Sequence, residues 1–183
     1  DDLSGKIYLT AGAGGMGANQ TWAMKMHGGV CIVVDVNEKT MKKRIEKDYL
    51  DIIASSLEEA IRIAKENSKA KKPISIGVVG NAADMYEKIL ASDFRPDICS
   101  EMCPCHDPIS YIPSGYTAEE ADKLRIENRE KYLHLARETM KRQLAAMVAL
   151  KTDGVEVFEY GTSIRKECMD AGFPREEAMK IKG

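Results

Sequence analysis

Apolar residues in this chain follow two alternating patterns. Val30 to Val36 (Val-Cys-Ile-Val-Val-Asp-Val) and Pro73 to Val79 (Pro-Ile-Ser-Ile-Gly-Val-Val) are almost wholly apolar. Runs of this kind fit strands buried on both faces, as in a parallel sheet. Lys6 to Thr10 is a third β-rich run and ends in glycines. Asp97-Ile98-Cys99 predicts a brief strand, and Val155 to Phe158 a last one. Between them the apolar residues take helical spacing. Ala18, Trp22, Ala23 and Met26 lead to a stop at Gly28-Gly29. Leu57, Ala60, Ile61 and Ala64 mark a second helix, and Met85, Ile89 and Leu90 a third behind the cap Asn81. Thr117 and Glu120 form a capping box. Leu133, Ala136, Met140, Leu144, Met147 and Val148 then form the stripe of a long helix, in which methionine serves as adaptable core filler. Strand alternating with helix predicts an α/β domain with a mostly parallel sheet. Ser100 to Gly115, with three prolines, reads as a loop long enough to carry function.

The first turn gives this pattern a chemical meaning. Gly12-Ala-Gly14-Gly15-Met16-Gly17 satisfies G-x-G-x-x-G between a predicted strand and a predicted helix. The first glycine permits the tight turn, the second lets backbone approach a pyrophosphate, and the third lets helix and strand pack. A helix N-terminus offers free N–H groups and a positive dipole end to phosphate. Asp35, 18 residues after Gly17, stands near the position where a carboxylate meets ribose hydroxyls. It would repel a 2′-phosphate, so NAD is favoured over NADP. The fold class is therefore a Rossmann-like α/β domain, an open, mostly parallel sheet with helices on both faces. Residues 1–183 form a single domain. The competing reading of the turn is structural only, with Asp35 an unrelated surface acid.

Composition narrows the field. A formal net charge of −2 lacks the basic excess of a general nucleic-acid binder, and the lysines at 69, 71 and 72 read as a solvated helix end. No apolar stretch is long enough to span a bilayer, and no signal peptide is visible. Five cysteines at irregular spacing do not read as a disulfide framework, so the expected compartment is the cytoplasm. Cys99, Cys103, Cys105 and His106 lie close together, but not at the C-x-x-C spacing of structural zinc. They read as ordinary reduced thiols beside a histidine, and no metal is expected.

Several segments together resemble the urocanase (urocanate hydratase) family. Gly14-Gly-Met-Gly-Ala-Asn-Gln20 resembles that family's Gly-Gly-Met-Gly-Gly-Ala-Gln turn. Gly80-Asn81-Ala82-Ala83 matches its Gly-Asn-Ala-Ala turn. Arg95-Pro-Asp97, His106-Asp-Pro108 and Tyr111-Ile-Pro113 follow in family order. Phe158-Glu-Tyr-Gly161 with Ile164-Arg165 resembles Phe-Asp-Tyr-Gly-Asn-Asn-Ile-Arg. The likeness spans essentially the whole chain, with about one residue missing near Ser110.

The resemblance implies a hydro-lyase. NAD+ would serve as an electrophile toward the imidazole of urocanate, not as a hydride acceptor, and water addition would give 4-imidazolone-5-propanoate in histidine degradation. It implies cofactor contacts at Gly15, Met16, Gly17, Asp35, Asn81, Ala82, His106, Tyr111, Ile112 and Tyr160. It also implies a homodimer for the full-length enzyme. In that family the domain is inserted in a larger chain, and a cysteine near the nicotinamide lies beyond this segment. The two ends here look cut. The expectation is therefore a fragment with no catalytic residue of its own and no hydratase activity alone.

Departures and alternatives remain. Asp35 stands for a family Glu, and Thr40 for a family Arg. Met102-Cys-Pro-Cys-His106 replaces Gln-Thr-Ser-Ala-His, keeping only the histidine and losing one N–H to Pro104. That change could alter cofactor geometry or substrate choice. Asn81 also reads as a plain helix cap, and Tyr160 as a half-buried aromatic. A short-chain dehydrogenase is the rival enzyme, but no tyrosine has the lysine four residues later that its acid–base pair needs. A stand-alone NAD-binding module is the non-enzymatic rival.

Overall fold

A computed structural model describes residues 2–183. Six strands form one open sheet: β1 (Ile7–Ala11), β2 (Val30–Asp35), β3 (Ile52–Ala54), β4 (Ile74–Val79), β5 (Ile98–Cys99) and β6 (Glu156–Val157). Their order is β3-β4-β2-β1-β5-β6, and every neighbouring pair is parallel. β2 pairs with β4 over its full length, from Val30 opposite Ile74 to Asp35 opposite Val79. From β1 the chain passes to β2, crosses to β3 at the edge, inserts β4 between β2 and β3, then returns to lay β5 on the other side of β1. That reversal opens a crevice at the C-terminal ends of β1 and β5, where open α/β sheets receive their ligands.

Side-chain alternation divides the core. Leu9, Ile32, Val34, Ile76 and Val78 point to one face, against Ala60 and Ala64 of α3 (Leu57–Ala70), Tyr86 and Ile89 of α4 (Ala82–Leu90), and Met140, Leu144 and Met147 of α6 (Arg129–Thr152). Tyr8 and Cys31 point the other way, to Met24 of α1 (Gly15–Met26), and Val33 packs with Met41 of α2 (Glu38–Ile45). Helices thus cover both faces. Caps set their starts: Asn37, Ser56, Asn81 and Asn128 each accept a backbone N–H from the first turn, and Thr117 and Glu120 complete the capping box of α5 (Ala118–Glu127). The last helices are α7 (Ile164–Asp170) and α8 (Arg175–Ala178).

Two elements lie outside the sequence pattern. β3 has only three residues, too few for a period. α2 buries only Met41, has Ile45 partly buried beside it and is otherwise charged or polar, so its apolar stripe is too short to read. The helical stretch from Thr117 is also divided, because Asn128 leaves helical geometry and caps α6.

The glycine turn fixes how α1 leaves the sheet. Gly12 has φ +87°, and a β-carbon there would stand 2.5 Å from the Met102 carbonyl oxygen. A β-carbon on Gly17 would stand 1.7 Å from the Gly12 carbonyl oxygen. Gly14 and Gly15 have nothing within 4 Å of that position. Gly17→Ala is therefore expected to lower stability by about 1–3 kcal/mol, the usual cost of overpacking, because backbone must move. Gly15→Ala is expected to leave stability unchanged or raise it by about 1 kcal/mol through helix propensity. Thermal unfolding of the two variants checks this contrast, and equal losses would contradict it.

Candidate functional site

A cavity of about 360 Å³ opens at the crevice, between the glycine turn and the ends of β2 and β4. Its size falls within the usual range for small-molecule sites. Gly12 and Gly14 form one edge, and Asp35, Asn37 and Thr40 the second. Gly80, Asn81 and Ala82 form the third, and the loop residues Met102 to Pro104 with Ser110 to Ile112 close it. Asp35 is the one charged side chain in this lining.

The polar side chains of the cavity hold its walls as well as face it. Asp35 accepts the Ala13 N–H at 2.6 Å through one oxygen and the Asn37 N–H at 2.8 Å through the other. Gly12 N–H donates to Val34 O at 2.7 Å, and Arg44 Nε donates to Ala13 O at 2.8 Å. The turn is thus fastened to the end of β2 and to α2. Burial raises the Asp35 pKa, opposed by those two N–H groups and by Arg44. Each carboxylate oxygen keeps acceptor capacity for a hydroxyl. Asn81 caps α4 through its Oδ1, which accepts Ala83 N–H at 3.0 Å, while its Nδ2 donates to Ile112 O at 3.0 Å. One side chain therefore joins the β4 turn to the loop.

Five sequence-predicted residues meet at this cavity: Asp35, Asn81, Ala82, Tyr111 and Ile112. The Tyr111 hydroxyl is turned into the core, where it donates to Gln143 Oε1 at 2.7 Å. Gly15, Met16 and Gly17 form the first turn of α1. Met16 and Tyr160 line a second cavity of about 430 Å³, on the α1 face of the sheet beside Tyr8, Gln20, Ile98 and Phe158. Tyr160 is half exposed and tilted against Phe158. His106 is exposed and lines neither cavity. Gly17 is buried against Gly12, so packing accounts for it.

Sequence reasoning missed Glu101, which follows β5. Its side chain is fully buried. One carboxyl oxygen receives the Thr162 hydroxyl, and the other receives Cys103 N–H at 2.9 Å and Cys105 Sγ–H at 3.7 Å. An acid in a loop ordinarily reads as a surface residue, and only the fold places this one inside. All five cysteines are free and buried. Burial pushes the Cys168 thiol up to about 12 and raises the other four well above the ordinary thiol range. Among the described residues no three His, Cys, Asp or Glu side chains are grouped as a metal site.

A nucleotide's phosphates fit the start of α1. The first intrahelical bond runs from Ala18 N–H to Gly14 O, so the N–H groups of Gly15, Met16 and Gly17 have no partner inside the helix. Gly14 offers no side-chain cap, the first turn holds no acid, and the space beside Gly14 and Gly15 is open. Positive helix dipole and free donors therefore face an open approach.

Glu101 supplies a pH prediction. Burial lifts its carboxyl to about 7 from the usual 4.5, offset by the Thr162 and Cys103 bonds. Folding therefore favours the neutral form. That contribution is complete below about pH 4.5 and is lost as pH rises to about 7. Its size is on the order of 3 kcal/mol. Glu101→Gln, which stays neutral, is expected to gain stability relative to the wild type as pH rises from 5 to 8. Denaturant unfolding across that range measures it, and a constant difference would contradict it.

A comparison with family models agrees with this geometry. The Urocanase Rossmann-like domain model matches residues 1–183. No helix among the described residues is long and apolar enough to cross a membrane. The parallel sheet, the glycine turn and the full-length match lead to one conclusion: the chain belongs to the urocanase family, as its Rossmann-like domain.

Proposed function

We propose that residues 1–183 form the single NAD-binding domain of a urocanate hydratase, carried within a longer, cytoplasmic, homodimeric enzyme. The observation that carries this reading is the open space beside Gly14 and Gly15, set on the uncapped N-terminus of α1. The family match supports the reaction class. In this reading Gly15 and Met16 give backbone N–H groups to the pyrophosphate. Asp35 receives hydroxyls of the adenosine ribose. Asn81, Ala82, Tyr111 and Ile112 shape the adenosine half of the site, and Met16 and Tyr160 flank the nicotinamide half. His106 stays a contact candidate at the loop surface. When bound, NAD+ supplies a positively charged ring that acts as an electron sink for hydration.

The lining of the first cavity also supports NAD over NADP. It contains no lysine or arginine, and its one charge is the Asp35 carboxylate. A 2′-phosphate there would meet like charge, and Arg44, the cation beside Asp35, does not line the cavity. The residues around the cavity bind, orient and exclude water. None is assigned a proton-transfer role.

Calorimetric titration tests the cofactor assignment. NAD+ is expected to bind at least about tenfold more tightly than NADP+, a difference of about 1.4 kcal/mol. Gly14→Ala is expected to keep the wild-type unfolding temperature while weakening NAD+ by about tenfold or more, since its methyl group enters the phosphate approach. Equal affinity for the two dinucleotides would contradict the role of Asp35. Unimpaired binding by Gly14→Ala would contradict the placement of the phosphates.

The reaction is tested with urocanate. The complete enzyme with NAD+ is expected to bleach the ultraviolet absorbance of the conjugated side chain, and the 183-residue chain alone is expected to leave it unchanged. Robust turnover by the isolated chain would overturn its assignment as a cofactor domain without catalytic residues. No turnover by the complete enzyme would overturn urocanate as the substrate.

A further inference from the structure

Glu101 lies where the two halves of the site are joined. Its neighbour Met102 donates N–H to Ala11 O at 2.7 Å, and the Met102 carbonyl occupies the space that a Gly12 side chain would need. On its other side Cys103 and Pro104 form the wall of the first cavity, and the Glu101 carboxyl holds Cys103 N–H at 2.9 Å. The same carboxyl receives the hydroxyl of Thr162, two residues beyond Tyr160 of the second cavity. A single fully buried side chain thus ties the loop wall to the Tyr160 segment, and the backbone of the next residue meets the glycine turn.

We infer that Glu101 is a positioning residue that couples dinucleotide binding to uptake of one proton, its neutral carboxyl holding both walls in the binding geometry. This inference rests on the NAD reading above. Among the described residues, the groups acting most strongly on the Glu101 charge include no cation. The titratable groups around it are Tyr86 on α4, Cys103, Cys105 and Tyr111 on the loop, Glu159 after β6, and Cys168 on α7. Cys99 of β5 adds another thiol. Each is neutral or negative when it titrates. Arg165, three residues beyond Thr162, is engaged by Glu159.

Ionisation therefore places an unpaired negative charge in a dry core, which the structure relieves only by admitting water or moving the loop. Thr162 can accept a proton from the neutral carboxyl as readily as donate to the ionised one, so the neutral form keeps both ties. Bound NAD+ carries two negative charges on its pyrophosphate against one positive charge on its nicotinamide, so its net charge disfavours ionisation of Glu101 further. In the linked step one solvent proton adds to the carboxylate oxygen as NAD+ binds. No other bond changes.

The test is NAD+ affinity of the purified protein from pH 6 to 8.5, with proton uptake read from calorimetry in two buffers of different ionisation enthalpy. The wild type is expected to lose about tenfold in affinity between pH 6 and pH 8, and to take up about half a proton or more per NAD+ at pH 7.5. Glu101→Gln is expected to bind with a flat pH profile and no linked uptake at this site. His106→Gln, an exposed position on the same loop, is the control. It is expected to retain the pH dependence, whatever it does to affinity. A pH-independent wild type, an unchanged profile in Glu101→Gln, or a flat profile in His106→Gln would each overturn the inference while leaving NAD binding intact. Absence of NAD+ binding at every pH would overturn the cofactor reading and this inference with it.

Discussion

The close approach of Gly17 to the carbonyl of Gly12 governs the rest of the molecule. A helix that begins with two glycines in three residues has poor intrinsic propensity at its start. It is held there by tertiary contact. Ala18, Thr21 and Met24 are buried, and the Thr21 hydroxyl reaches Tyr49 O at 2.6 Å. Because no β-carbon intervenes, α1 starts directly at the end of β1 and its free N–H groups point into the crevice. The Asp35 carboxylate then holds the turn by Ala13 N–H, which ties the outcome at β1 to the end of β2. The site is a consequence of how strand and helix are allowed to pack.

This arrangement also explains why polar groups at the crevice serve two purposes. Asp35 fastens the turn and faces the cavity. Asn81 caps α4 and holds Ile112. Such groups cost little flexibility to a ligand, since their orientation is already fixed. Anion recognition falls to backbone N–H groups and the helix dipole, because the first cavity has no basic side chain. The loop after β5 is positioned from behind by Glu101, whose bonds reach both walls.

Much of this was legible in the sequence, for physical reasons that differ by element. β1, β2 and β4 are buried on both faces, so their composition alone marks them. α3, α4 and α6 carry apolar stripes or recognisable caps. β3 and α2 were not legible, because one is too short and the other buries a single residue. The roles of the glycines could be assigned from spacing, since turn, approach and packing impose different demands at 12, 14 and 17. The second duty of Asp35 could not, because Ala13 and Asn37 meet it only after folding. Glu101 gave no signal at all. Its burial depends on Thr162, 61 positions away along the chain. The resemblance implies one group of contacts, whereas the fold places five of them at the first cavity, Met16 and Tyr160 at the second, and Gly15, Gly17 and His106 in neither lining.

The central claim is that a dinucleotide lies across the start of α1. Backbone amide chemical shifts followed during an NAD+ titration test it most directly. The account predicts the largest changes at Gly14 to Gly17, accompanied by Asn37, Asn81 and Tyr160. Changes that spare the glycine turn and gather elsewhere would contradict it.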